Sequence, residues 1–153
     1  AGCVGFNFDT TASAGDADFV GTLNGIEAFR KSCPNAYIIM GMASENVLGI
    51  HGSIEYHGKP VAGLYPQDQV KLAAEAGANN FGAVVNTNTS RSFAWNVARA
   101  ATMIKECVKD ATIPVHADLG MGVVGVPMCE TPPIDCVTRS AKILVEVAHI
   151  DGI

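Results

Sequence analysis

Three carboxylates and a histidine stand at the ends of short apolar runs: Asp9 after residues 3–8, Glu45 after 37–40, and His116 with Asp118 at the close of 113–117. Carboxylates that converge from separate runs suit a cationic substrate or general acid–base chemistry. Asn7, Asn86 and Asn88 share these polar stretches, as does the loop Gly120-Met121-Gly122. Asp9, Glu45, His116 and Asp118 are therefore the candidate catalytic residues. Asn7, Asn86, Asn88, Gly120, Met121 and Gly122 are the candidate substrate-binding residues. Each carboxylate reads equally well as a structural partner of a backbone amide or an arginine. His116 reads equally as a general base or as a hydrogen-bonded core histidine. Helix capping explains part of the pattern, with Thr89 or Ser90 before one helix and Asp16 or Asp18 before another.

Weaker motifs do not displace this set. Gly120-Met121-Gly122-Val123-Val124-Gly125 matches G-x-G-x-x-G, but Val126-Pro127 follows where a dinucleotide site needs a helix. A close-packed loop is the better reading, since glycine lets backbone approach a ligand. His51 and His57 lack a partner pair at zinc spacing, and His57-Gly58-Lys59-Pro60 reads as a hairpin turn. Cys3, Cys33, Cys107, Cys129 and Cys136 form no C-x-x-C pair and read as packing residues in a reducing compartment.

The elements that position the polar stretches follow from periodicity. Strands are expected at 3–8, 37–40, 81–85 and 113–117. Helices are expected at 18–32, 67–76, 91–110 and 132–147, the last behind Thr131 as N-cap. Phe19, Leu23, Ile26, Phe29 and Cys33 line one helix face, and Ile134, Val137, Ala141, Leu144 and Val147 another. Apolar strands alternating with helices imply a parallel sheet covered by helices. The fold class is α/β: either an open doubly wound sheet or a partial (β/α)8 TIM-type barrel of about four βα units. The polar stretches all follow strands, where both architectures place active sites.

The junctions at 1–9, 76–86 and 147–153 look like copies of one helix-to-strand transition. A whole barrel needs about 250 residues, so residues 1–153 read as a single partial barrel domain excerpted from a larger chain. A hydrophobic content of 48% against 16% charged residues fits a buried α/β interior. The net charge of −5, with no Lys/Arg cluster, argues against a nucleic-acid partner. No apolar run reaches the roughly 18 residues of a membrane span, and the odd count of unpaired cysteines makes a reducing cytoplasm the expected setting.

Larger stretches carry a resemblance. Asn7-Phe8-Asp9-Thr10-Thr11, Gly41-Met42-Ala43, Gly49-Ile50-His51-Gly52, Asn86-Thr87-Asn88-Thr89-Ser90, Ala94-Trp95-Asn96 and Glu130-Thr131-Pro132-Pro133-Ile134-Asp135 resemble, in this order, the dimethylamine:corrinoid methyltransferases of methylotrophic methanogens. The resemblance spans essentially the whole chain. It implies a (β/α)8 barrel that moves a methyl group from dimethylamine to the Co(I) corrinoid of a cognate partner protein, releasing monomethylamine. It implies no cofactor bound by this chain itself, a homo-oligomer when full length, and a pyrrolysine directly after Asp151-Gly152-Ile153, encoded by an amber codon. The excerpt alone is then expected to be inactive. The competing readings are another barrel enzyme, such as an aldolase or isomerase using His116, and a non-enzymatic module docking on a corrinoid protein. No lysine lies in any expected strand, which disfavours Schiff-base chemistry. In the full-length enzyme, Asp118→Asn is expected to lower methyl transfer far more than the melting temperature. An equal loss of both would make Asp118 structural.

Overall fold

The computed structural model describes residues 2–9, 15–43, 52–83, 94–117 and 133–153. Strands β1 (Gly5–Phe8), β2 (Tyr37–Ala43), β5 (Asn80–Ala83) and β6 (Val115–His116) form a parallel sheet in the order β1-β2-β5-β6. Between β2 and β5 lies a hairpin, β3 (Glu55–Tyr56) and β4 (Lys59–Pro60). The helices are α1 (Asp16–Ser32), α2 (Pro66–Ala76), α3 (Ala94–Lys109) and α4 (Ile134–Glu146). The sheet strands neighbour one another in chain order with no reversal, and consecutive helices pack side by side. Gly152 adds a parallel bridge to His116, so the chain after α4 starts a further strand beside β6. The described strands do not close a ring. None of the described helices is long and apolar enough to cross a membrane.

Alternation along the strands sorts the residues onto two faces. Ile38 and Met40 of β2, Phe81 of β5 and Val115 of β6 are buried toward the helices, with Phe19, Leu23, Ile26, Ile104 and Leu144 packed into the same core. Phe6 and Phe8 of β1 meet Phe29 of α1, at ring-centroid distances of 5.5 Å and 6.2 Å. Asn7, Ile39, Gly41, Asn80, Gly82 and His116 take the alternate positions and face away from the helices.

The repeated junctions have a common geometry. Gly2, Gly77 and His149 hold equivalent places and all are left-handed, with φ of 77°, 105° and 57°. Glycine accepts this conformation without strain, and His tolerates it better than most side chains. Two residues later, Asn79 and Asp151 each clamp the preceding strand twice. Asn79 donates its N–H to the Ile38 carbonyl at 2.7 Å and accepts the Ile38 N–H on Oδ1 at 2.9 Å. Asp151 does the same to Val115, at 3.0 Å and 2.9 Å.

Arg30 ties these ends together. Its guanidinium donates to the carbonyls of Pro34 (2.8 Å), Ala36 (2.7 Å) and Gly77 (2.7 Å) and to Asn79 Oδ1 (2.6 Å). One side chain on α1 thus fixes the entry into β2 and the entry into β5. The hairpin is pinned to the same helix. His57 and Gly58 at its turn both have positive φ, 49° and 75°, as a tight two-residue hairpin requires. The buried Tyr56 hydroxyl donates to the Glu27 carboxylate, and His57 Nε2 lies 3.0 Å from the same oxygen. Burial, and then the Glu27 charge, hold the Tyr56 hydroxyl well above the usual phenol range.

Several sequence expectations are corrected. The N-cap of α1 is Gly15, with no side-chain cap; Asp16 and Asp18 lie inside the first turn, where negative charge suits the helix dipole. The N-cap of α4 is Pro133, and Thr131 lies outside the described residues. Ile134 and Val147 do not face inward but are 82% and 48% exposed. Cys3 and Cys33 are exposed rather than packed, and only Cys107 is buried among the described cysteines. Replacing Arg30 by Met should leave three carbonyls and the Asn79 side chain short of a donor. A loss of about 2–3 kcal/mol of stability is expected from urea unfolding. A shift within error would show that the network is dispensable.

Candidate functional site

The face turned away from the helices carries two adjacent rows across the sheet, Asn7, Ile39 and Asn80 in one and Gly41, Gly82 and His116 in the next. Asn7 comes from β1 and His116 from the end of β6, and the central strands contribute Gly41 and Gly82 between them. The glycines are a spatial requirement. A Cβ on Gly41 would stand 2.7 Å from Asn7 Oδ1, and one on Gly82 would stand 2.9 Å from His116 Cε1 and 3.0 Å from the Gly41 Cα. Real Cβ atoms are not found so close, so the Asn7 and His116 side chains lie across strands that must lack side chains there.

His116 is held by Asn80, two residues before Gly82 on the same face. Its Nδ1 is hydrogen-bonded to Asn80 Oδ1. An amide oxygen only accepts, so the Nδ1 carries the proton, and in the neutral ring Nε2 is left as an acceptor. The anchored Nδ1 is what a structural histidine shows, and a working base would use the other nitrogen, so both readings of this half-buried residue stand. Asp9 follows the last residue of β1 and is exposed, at the same strand end as His116.

The structure thus brings Asn7 and His116 onto one face, with Asp9 at its rim. Glu45, Asn86, Asn88, Asp118, Gly120, Met121 and Gly122 lie outside the described residues, as do His51 and Cys129. Asn80 escaped the sequence reading. The doublet Asn79-Asn80 at a strand start was the available signal, since one side chain clamps the neighbouring strand and the next faces the opposite way. Among the described residues no His, Cys, Asp and Glu cluster could hold a metal ion. His57 is committed to the hairpin, stacked on Tyr56 at 4.1 Å. Grooves of about 500 Å³ between α2 and α3 and about 680 Å³ beside β1 open elsewhere and include neither Asn7 nor His116.

Cys107 offers no nucleophile. Burial, and then the charge of Glu106, push its thiol up to about 12, so it stays protonated at neutral pH. A parallel α/β scaffold with a polar face opposite its helix layer, gathered at the carboxyl ends of its strands, is the framework of an α/β enzyme. The family model for dimethylamine methyltransferase (Dimeth_PyL) matches residues 1–153, and the chain belongs to that family. Thiol labelling of the native protein at neutral pH should modify Cys3 and Cys33 readily and spare Cys107 until denaturant is added. Early modification of Cys107, read by peptide mass, would contradict its burial.

Proposed function

We propose that this chain forms part of an enzyme that transfers a methyl group from dimethylamine to the Co(I) corrinoid of a separate protein and releases monomethylamine. The observation that carries the proposal is the family match over residues 1–153. The sequential parallel strands and single helix layer support the rest of the reading: one partial barrel domain whose helix-free face lines the barrel interior. The full-length enzyme would act in the cytoplasm as a homo-oligomer.

Dimethylamine is a cation at neutral pH, and only the cation carries a neutral leaving group. Asp9, with Glu45 and Asp118, which follow the β2 and β6 segments in sequence, would offset that charge. His116 Nε2, an acceptor because Asn80 holds the other nitrogen, would take a hydrogen bond from the ammonium. When the C–N bond breaks, its electron pair stays on nitrogen and methylamine leaves uncharged, while the cobalt supplies the pair for the new bond. The site must therefore bind a cation and release a neutral base. The corrinoid is the partner's, a methyl acceptor presented at the strand ends. The pyrrolysine that the resemblance implies would supply an imine to hold the amine. Gly152 bridges His116 in parallel register, and side chains alternate along a strand. A residue after Ile153 would share the His116 face.

The test uses the full-length protein with its corrinoid partner, following methylation by the corrinoid absorbance. Dimethylamine should support turnover, and His116→Ala should lower kcat/KM by about a hundredfold or more, the usual scale for a lost acid–base or positioning group. No turnover with dimethylamine, or an unchanged His116→Ala variant, would refute the reading.

A further inference from the structure

We infer that Asn80 is a positioning residue for methyl transfer: its uncharged carboxamide holds His116 as an Nε2 acceptor and withholds the negative charge that would favour a cationic ring. The inference rests on the dimethylamine reading and adds why an amide, and not a carboxylate, stands behind the histidine.

Asn80 and His116 come from the paired strands β5 and β6 and share the face opposite the helices. The register sets His116 beside Gly82, two residues after Asn80. The ring leans across that glycine, with Cε1 and Nε2 at 2.9 Å and 3.2 Å from where a Gly82 Cβ would be. Nδ1 meets Asn80 Oδ1, and among the described residues it is the ring nitrogen that has a partner. Asn79 has no such part, because its Oδ1 already accepts from the Ile38 N–H and from Arg30.

A free imidazole divides its proton between two nitrogens. An amide oxygen accepts and does not donate, so it draws the proton to Nδ1 and leaves the Nε2 lone pair. A carboxylate at this position would do the same. It would also place a negative charge within hydrogen-bond distance, and such a charge favours the imidazolium. An imidazolium has two donors and no acceptor, so it would repel an ammonium ion and could not take its hydrogen bond. The neighbouring segments add no free charge of this kind. β5 presents Asn80 and Gly82, and the segment after α4 presents Gly152, while the Asp151 carboxylate accepts the Val115 N–H at 2.9 Å. Asn80 thus gives His116 orientation without charge and acts through it, not on the substrate.

The experiment combines nitrogen NMR of the histidine-labelled full-length protein with pH profiles of kcat/KM for dimethylamine, measured with the corrinoid partner. Wild type should show the Nδ1–H tautomer of His116. Asn80→Asp should keep that tautomer and turn over dimethylamine at alkaline pH. Its imidazolium should persist to higher pH, so activity is lost sooner as the pH falls. The acid limb should move up by about one pH unit or more, the usual effect of an adjacent opposite charge. Asn80→Leu should mix the tautomers and lower kcat/KM about tenfold, the scale of one lost charge-assisted hydrogen bond, with no upward shift of the limb. Asp9 and Asp118 are present in all three proteins, so a difference between limbs reports on position 80.

An Nε2–H tautomer in wild type, or an acid limb that stays put in Asn80→Asp, would overturn the inference. So would Asn80→Leu with wild-type kcat/KM. If Asn80→Leu fails to fold, the wild-type tautomer and the Asn80→Asp limb still decide. Turnover of dimethylamine with an unmoved limb would leave the proposed function standing, whereas wild type without turnover would overturn both.

Discussion

The guanidinium of Arg30 is the interaction on which the register of the sheet depends. It draws the carbonyls of Pro34, Ala36 and Gly77 and the side chain of Asn79 to one point at the amino ends of β2 and β5. Those carbonyls lie at turns open or partly open to solvent, and a hydrogen bond from a charged donor contributes about 1.5–3 kcal/mol. Arg meets several such groups at once because its donors are fixed in a plane. The residue does no chemistry, yet it sets which residues of β2 stand beside which residues of β5. Because side chains alternate, a slip by one position would turn Gly41 or Gly82 into the core and carry a bulky side chain to the polar face. The amino ends of the strands thus hold the information that the carboxyl ends use.

Asn79 and Asp151 extend the same logic along the chain. Each reads the backbone of the strand before it through one donor and one acceptor. Register therefore passes from strand to strand between neighbours in sequence. Parallel strands need long crossover connections, and here each crossover carries a helix that packs on the helix before it. Nothing in the described part of the sheet requires a contact between units distant in the chain, so each new unit can be built against the last one.

Much of this was legible in the sequence, and the misses have physical reasons. The alternation of apolar runs with helical periods identified the parallel α/β layer, and the His57-Gly58-Lys59-Pro60 turn marked the hairpin. Asn7, Asp9 and His116 were singled out because polar residues at a strand end stand out against apolar neighbours. Asn80 was hidden because its role depends on a residue 36 positions away. Arg30 looked like an ordinary basic residue in a last helical turn, which the helix dipole alone would explain. The face of α4 was misjudged because periodicity reports which side of a helix is apolar but not whether a neighbour covers it. Ile134 and Val147 are apolar and in phase, and still exposed. The cysteines at 3 and 33 show the same limit, since composition cannot tell a buried thiol from one at an edge.

The two glycines at the centre of the polar face also bear on how such a protein can change over generations. Gly41 and Gly82 sit where any side chain would collide with Asn7 Oδ1 or with the His116 ring. A side chain at either position would require Asn7 or His116 to move aside, so variation at the floor is coupled to variation at those two residues. A lineage adapting this scaffold to a bulkier or smaller amine through its floor would have to change the glycine and its neighbour together.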